Sequence, residues 1–167
     1  MIIVSNTGPL LHLYEAKCFN LLKLAGEIHL PPPVATELSQ LEPGFVFPPW
    51  ITIDELSISF KKLALSWRQA GILDIGESEA LSLAQQLDAS WFLTDDAAAR
   101  LLGNTLGIEV HGSLGVILWA AAVGHLAYSE AAQGLENLAG SSLWLSPRII
   151  SEAREALDVI FKRPKMR

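Results

Sequence analysis

Short apolar runs and longer stretches of helical period alternate along the chain. Ile2–Ser5 is a β-branched run closed by Asn6-Thr7-Gly8-Pro9, the pattern of a buried strand feeding a helix. Leu10, Leu11, Leu13, Leu21, Leu22 and Leu24 then recur at roughly helical spacing, and Gly26 ends that stretch. Glu27–Leu30 predicts a second strand. Pro31-Pro32-Pro33 predicts the start of a short helix carrying Glu37, since proline is tolerated in a helix's first turn. Residues 42–49 form a Pro/Gly-rich loop, 50–53 a short strand and 55–70 a helix. Asp74-Ile75-Gly76-Glu77 opens another helix, reaching about Leu87, with Ala80, Leu81, Leu83, Ala84 and Leu87 on its apolar face.

The second half repeats the alternation. Residues 91–94 read as a strand, 96–106 as a helix, 108–111 as a strand and 114–123 as a helix. Two further helices are predicted near 129–138 and 147–162, the last with Ser146 as N-cap and Pro147 at the first helical position. No Asn-Gly hairpin signal occurs. The predicted fold is α/β: a parallel sheet covered by helices, with helical additions at the C-terminus. No repeat, low-complexity tract or linker divides the chain, so a single domain over 1–167 is expected.

Composition narrows the class. The chain has 167 residues, half of them hydrophobic and 18% charged, which suits one packed core. The single cysteine, Cys18, excludes a disulfide framework and suits a reducing cytoplasmic compartment. Met1-Ile2-Ile3-Val4 lacks the basic start of a secretory signal. The longest apolar run, 114–124, falls short of the roughly 20 residues a membrane span needs, so no membrane association is expected. A net charge of −6 is the wrong sign for bulk electrostatic binding to nucleic acid, although clustered acids at a metal site would themselves contribute to it.

Polar residues gather where such a fold would collect them. In open α/β sheets ligands sit beyond the C-terminal ends of the strands. Asn6 follows the first strand and Asp95-Asp96 the strand at 91–94; Glu37, Glu77 and Glu79 lie on the intervening helices. Clustered carboxylates are how proteins hold Mg²⁺ or Mn²⁺ against a phosphodiester. Each residue has a plainer reading too. Asp74 and Glu77 have capping-box spacing, and Glu79 suits a solvated first turn. Asp95 or Asp96 suits an N-cap, Glu37 a surface position, and Asn6-Thr7 an Asx-turn. Gly112-Ser113-Leu114-Gly115 is a weak match to a phosphate-accepting helix start. His12 and His29 read as core or interface residues; His111 and His125 close elements without ligand spacing to Cys18.

Five ordered segments carry a resemblance. They are Val4-Ser5-Asn6-Thr7-Gly8-Pro9-Leu10, Leu30-Pro31-Pro32-Pro33-Val34-Ala35-Thr36-Glu37-Leu38, Gly76-Glu77-Ser78-Glu79-Ala80-Leu81, Leu93-Thr94-Asp95-Asp96 with Arg100, and Gly107-Ile108 with Gly112-Ser113-Leu114-Gly115-Val116. Over residues 1–126 the chain resembles PIN domains of the VapC-like toxin type, in the prokaryotic branch with a Gly-Glu-x-Glu-Ala helix start; 127–167 would be a helical extension. The resemblance implies a three-layer α/β/α fold and a Mg²⁺- or Mn²⁺-dependent endoribonuclease, often the toxin of a toxin–antitoxin pair. Glu37 then matches the family's second acid, Glu79 its third with Glu77 as helper, and Asp95 or Asp96 its fourth. Thr7, Thr94, Arg100 and Ser113 would position substrate, water or a carboxylate. The family's first acid is aspartate, and here it is Asn6, which offers a neutral oxygen without the charge hard cations prefer.

Two functions therefore compete: a metallonuclease hydrolysing RNA, weakened at Asn6, and a PIN-fold module that binds RNA or a protein without cutting. The partners implied are RNA, a small antitoxin and a second copy of the chain. Candidate phosphate contacts are Lys61, Lys62, Arg68, Arg100, Arg148, Arg154 and the basic tail at 162–167. Trp91 and Trp119 read as core, Trp50 and Trp144 as interface residues.

Overall fold

The structure, a computed structural model, describes residues 1–162. In chain order its elements are β1 (Ile2–Ser5), α1 (Thr7–Glu15), α2 (Leu21–Ala25), β2 (Glu27–Leu30), α3 (Pro32–Leu41), β3 (Ile51–Ile53), α4 (Ile58–Gln69) and α5 (Ile75–Gln86). β4 (Trp91–Leu93), α6 (Ala97–Thr105), β5 (Glu109–His111), α7 (Ser113–Ala122), α8 (Tyr128–Ala139) and α9 (Pro147–Ile160) follow. Among the described residues the strands form one five-stranded sheet of order β3-β2-β1-β4-β5. Every pairing is parallel, with Ile3 opposite both Ile28 and Trp91.

Parallel strands covered on both faces are apolar, and the central strands β1 and β4 follow the rule, while β2, β3 and β5 carry exposed positions. Ile3, Val4, Ile28, Leu30, Phe92 and Leu93 are fully buried. α5 packs on β1 and β4 and in turn carries α4, while α7 packs on β5, α1 and α2 and carries α8 and α9. The result is a three-layer α/β/α arrangement with the C-terminal helices added to α7. The chain winds from β1 outward to β3, then returns to lay β4 on the other side of β1. That reversal opens a crevice at the C-terminal ends of β1 and β4, the place where doubly wound sheets bind ligands.

One expected helix divides in two. The leucine periodicity over 10–24 predicts a continuous helix, yet α1 stops at Glu15. Lys17 adopts a left-handed conformation at φ 59°, Cys18 N–H donates to the Leu13 carbonyl at 2.8 Å, and Lys17 N–H donates to Tyr14 at 3.1 Å. This is a Schellman closure made with lysine where glycine is usual. α5 closes the same way on Asp88 at φ 49°, whereas α6 and α7 close on Gly107 and Gly124.

The tryptophans also divide. Trp91 is buried and meets Trp119 edge to face at 5.5 Å. Trp50, expected at an interface, instead packs on Phe19 at 5.3 Å against the core. Trp144 is 80% exposed. Of the basic tail, residues 163–167 lie outside the described residues. No helix among the described residues is long and apolar enough to cross a membrane.

A left-handed residue other than glycine carries a strain of about 1 kcal/mol. Lys17→Gly should therefore hold or raise stability by up to about that amount, read as a higher urea midpoint at unchanged slope. A lowered midpoint would contradict the account of the helix break.

Candidate functional site

The crevice is built around the splice between β1 and β4. Asn6 N–H donates to the Leu93 carbonyl at 2.8 Å and continues the strand pairing by one step. Asn6 is also the N-cap of α1: its Oδ1 accepts Thr7 N–H at 2.8 Å, and its Nδ2 donates to Thr94 Oγ1 at 3.4 Å. Thr94 Oγ1 accepts Asp96 N–H as well, at 3.1 Å. Thr94 thus ties both strand ends together, and it is fully buried.

Glu37 reaches this rim from α3. Its Oε2 accepts the Thr7 hydroxyl at 3.0 Å. It also lies against the first turn of α5, where a Cβ on residue 76 would sit 2.9 Å from Oε2. Gly76 therefore leaves room for the carboxylate at a helix N-terminus, where negative charge is favoured.

Glu77 follows at once. Asp74 Oδ1 accepts Glu77 N–H at 2.8 Å and Glu77 Oε2 accepts Asp74 N–H at 3.1 Å, so the capping box is complete. The Glu77 carboxyl is nevertheless held above its ordinary pKa. Burial is the largest cause. The Asp74 N–H pulls the other way, and the charges of Asp74, Asp96 and Glu37 push it up further. Those acids therefore lie within electrostatic reach of Glu77. Asp96 is the N-cap of α6, its Oδ2 accepting Ala99 N–H at 2.8 Å.

Asp95 does something different. Its Oδ2 accepts His12 Nδ1–H at 2.7 Å and the Ser113 hydroxyl at 2.5 Å, while Oδ1 accepts Ser113 N–H at 2.8 Å. The side chain is only 9% exposed. Burial acts to raise its pKa, but the bonds from His12 and Ser113 outweigh burial and hold the carboxyl below the usual range. Gly112 allows this close packing, since a Cβ there would sit 2.7 Å from Asp95 Oδ1 and 2.6 Å from Arg100 Nη2. Arg100 in turn donates to the Thr94 carbonyl at 3.3 Å.

Several sequence expectations change on this geometry. The expected ligand set of Asn6, Glu37, Glu77, Glu79, Asp95 and Asp96 does not assemble as one group. Asn6 is occupied as a cap, and Asp95 is turned to His12 and Ser113. Glu79 lines a separate cavity between α4 and α5 with Lys61 and Arg68. Its pKa is raised chiefly by burial, with Lys61 and Arg68 opposing and Glu55 reinforcing the shift. Ser113, expected to position substrate or water, positions Asp95. The helix start that resembles a phosphate turn holds that carboxylate in phosphate's place.

His12, expected in the core or at an interface, is a member of the site. Its partner lies 83 positions away, so no local spacing could signal the pair. Lys61 pairs with Glu55, Arg148 with Glu152 and Arg154 with Glu136. Among the described residues no three His, Cys, Asp or Glu side chains form a group placed to hold one metal ion.

A family model for the PIN domain matches residues 2–158, a span that takes in α8 and most of α9. No curated protein and no solved structure gives a match.

Asp95 tests the electrostatics of the site. A depressed folded-state pKa contributes stability above the unfolded value near 3.9, and that stability is lost as pH falls through the folded value. Asp95→Asn should cost about 2 kcal/mol at pH 7, the scale of hydrogen bonds to a charged group. The gap to the native chain should close as pH drops from about 4 toward 2. Denaturant titrations across that range measure it, and a pH-independent gap would refute the assignment.

Proposed function

The chain belongs to the PIN-domain family, and from that premise we propose that it is a divalent-metal-dependent endoribonuclease hydrolysing RNA phosphodiesters. PIN domains are generally nucleases. The observation that carries the reading is that Glu37, held by the Thr7 hydroxyl, and Asp96, held at the start of α6, both lie within electrostatic reach of Glu77 where the sheet reverses. These donors are oxygens only, the chemistry that Mg²⁺ and Mn²⁺ take, and a cation among them would relieve their repulsion. Glu37, Glu77 and Asp96 do not stand as one ready-made ligand group, so we assign them as the residues that would hold a hydrated ion, in part through its waters. When bound, such an ion supplies positive charge that polarises a phosphodiester.

The chain's own residues supply the rest. The Thr7 hydroxyl orients Glu37, and Thr94 fixes the backbone that presents Asp96. Arg100 stands at the rim as a cation for a substrate phosphate. Asn6 is the neutral corner of the set, so metal affinity is expected to be weak. The wider reading, a cytoplasmic homodimer acting as a toxin with a small antitoxin partner, rests on the family resemblance and on the single unpaired cysteine.

A second reading has its own support. Both ends of the Asn6 amide already serve the strand junction, which suits a PIN fold that binds RNA or a protein without cutting. The decisive variant is Asn6→Asp. Its carboxylate can keep the Thr7 N–H bond with one oxygen and accept the Thr94 hydroxyl with the other. Cleavage of a labelled RNA in Mn²⁺ should be slow for the native chain and about tenfold faster for Asn6→Asp, a gain of about 1.4 kcal/mol in the barrier. Glu37→Gln and Asp96→Asn should abolish both. RNA bound but cut by neither chain would establish the binding module instead.

Gly76→Ala probes the positioning of Glu37. A Cβ at 76 displaces the carboxylate from the Thr7 hydroxyl, while alanine improves the helix by roughly 1 kcal/mol. Cleavage should fall about tenfold or more with no loss of thermal stability. Unchanged cleavage would remove Glu37 from the site.

A further inference from the structure

Beside the rim lies a cavity of ≈ 460 Å³ that the metal-binding reading does not use. One wall comes from the crevice itself: Arg100 and Gly112, with Asp95 beneath. The other wall is the connection between α8 and α9, which contributes Leu143, Trp144 and Leu145. We propose that this cavity is a stacking subsite for an unpaired base of single-stranded RNA, with Trp144 as the platform and Arg100 as the cation for the adjoining phosphate. The proposal rests on the ribonuclease reading for its substrate class, and goes beyond it in naming where a base docks.

Trp144 is the observation that leads there. At 80% exposure it is the most open of the large hydrophobic side chains after Val46, and no other ring packs on it among the described residues. Its position is nonetheless fixed. Leu143 and Leu145 on either side are half-buried and pack against the core. Leu143 N–H donates to Ser141 Oγ at 3.2 Å, Ser141 donates to the Leu138 carbonyl, and Ser146 caps α9. The segment therefore alternates in, out, in, and presents the indole from a pinned backbone. An aromatic ring held open in this way loses little conformational entropy when a flat ligand covers it.

The charge of the cavity selects the ligand. Arg100 is anchored through one nitrogen to the Thr94 carbonyl, and Asp95 has its oxygens committed to His12 and Ser113. Asp95 is the one acid in the lining, and the nearby Glu109 carboxylate is paired with His111 at 2.8 Å, so the wall offers a cation and an aromatic face. That pairing suits a nucleotide, whose base stacks while its phosphate meets the guanidinium. The base must be unpaired, because a duplex keeps its faces stacked internally. Tolerance of base identity follows, since every base has a π-face.

The test is fluorescence anisotropy of the full chain with a fluorescein-labelled eight-nucleotide single-stranded RNA in EDTA, so that binding is read apart from cleavage. Trp144→Ala should weaken binding about 5- to 150-fold, the range for losing one stacked base, and Trp144→Phe should restore most of it. The thermal midpoint of Trp144→Ala should not move. An oligomer of the same length with abasic sites should bind the native chain and Trp144→Ala alike. No binding by the native chain, equal binding by native and Trp144→Ala, or an equal loss on the abasic oligomer would each overturn the subsite. So would conversion of a dimer to a monomer by Trp144→Ala with RNA affinity unchanged, which would make the surface a contact between copies. Trp144-dependent binding without Mn²⁺-dependent cleavage would leave the subsite standing and the nuclease reading refuted. Cleavage with Trp144-independent binding would do the reverse.

Discussion

The crevice depends on one buried carboxylate held by three hydrogen bonds from within the protein. Asp95 accepts hydrogen bonds from α1 through His12 and from the start of α7 through both the hydroxyl and backbone of Ser113. An ionised side chain this enclosed is tolerable only when its oxygens are fully engaged. The three donors meet that condition, and in doing so they hold α1 and α7 against the end of β4.

Neighbouring acids take different roles for simple geometric reasons. Asp95 and Asp96 leave the end of a strand, where successive side chains diverge, so one faces α7 while the other caps α6. Glu77 and Glu79 are two apart on a helix, about 200° around its axis, and cannot both serve one site. Glu77 lies within electrostatic reach of Glu37 and Asp96, and Glu79 lines the cavity on the α4 side with Lys61 and Arg68. A motif read as Gly-Glu-x-Glu-Ala thus contains one acid for the rim and one for a helix contact. Its glycine matters as much, because Glu37 occupies the space a side chain would fill.

Much of this was legible from residue order. The alternation of apolar runs and helical periods marked every strand, and cap residues marked helix starts at Asp74, Asp96 and Ser146. The Asx-turn at Asn6, the capping box and the shared rim of Asn6 with Asp96 were also open to local reasoning. What escaped depends on pairs distant in sequence or on the absence of a usual marker. The His12–Asp95 bond exists only because β4 lies beside β1. The break at Lys17 uses a lysine where glycine would have signalled it. The placement of Glu79 in a separate cavity beside Lys61 and Arg68 depends on how α4 packs on α5, which residue order does not give.

The rim draws on residues from Asn6 to Ser113, and β1 acquires its neighbour β4 only after 85 further residues have been added. Parallel pairings of such separation form late in folding. A chain emerging from the ribosome therefore carries Asn6, Glu37 and Glu77 before Thr94 and Asp96 arrive to complete the rim. On the ribonuclease reading, a partly made chain has no complete site until β4 has paired with β1 and brought Asp96 to the rim.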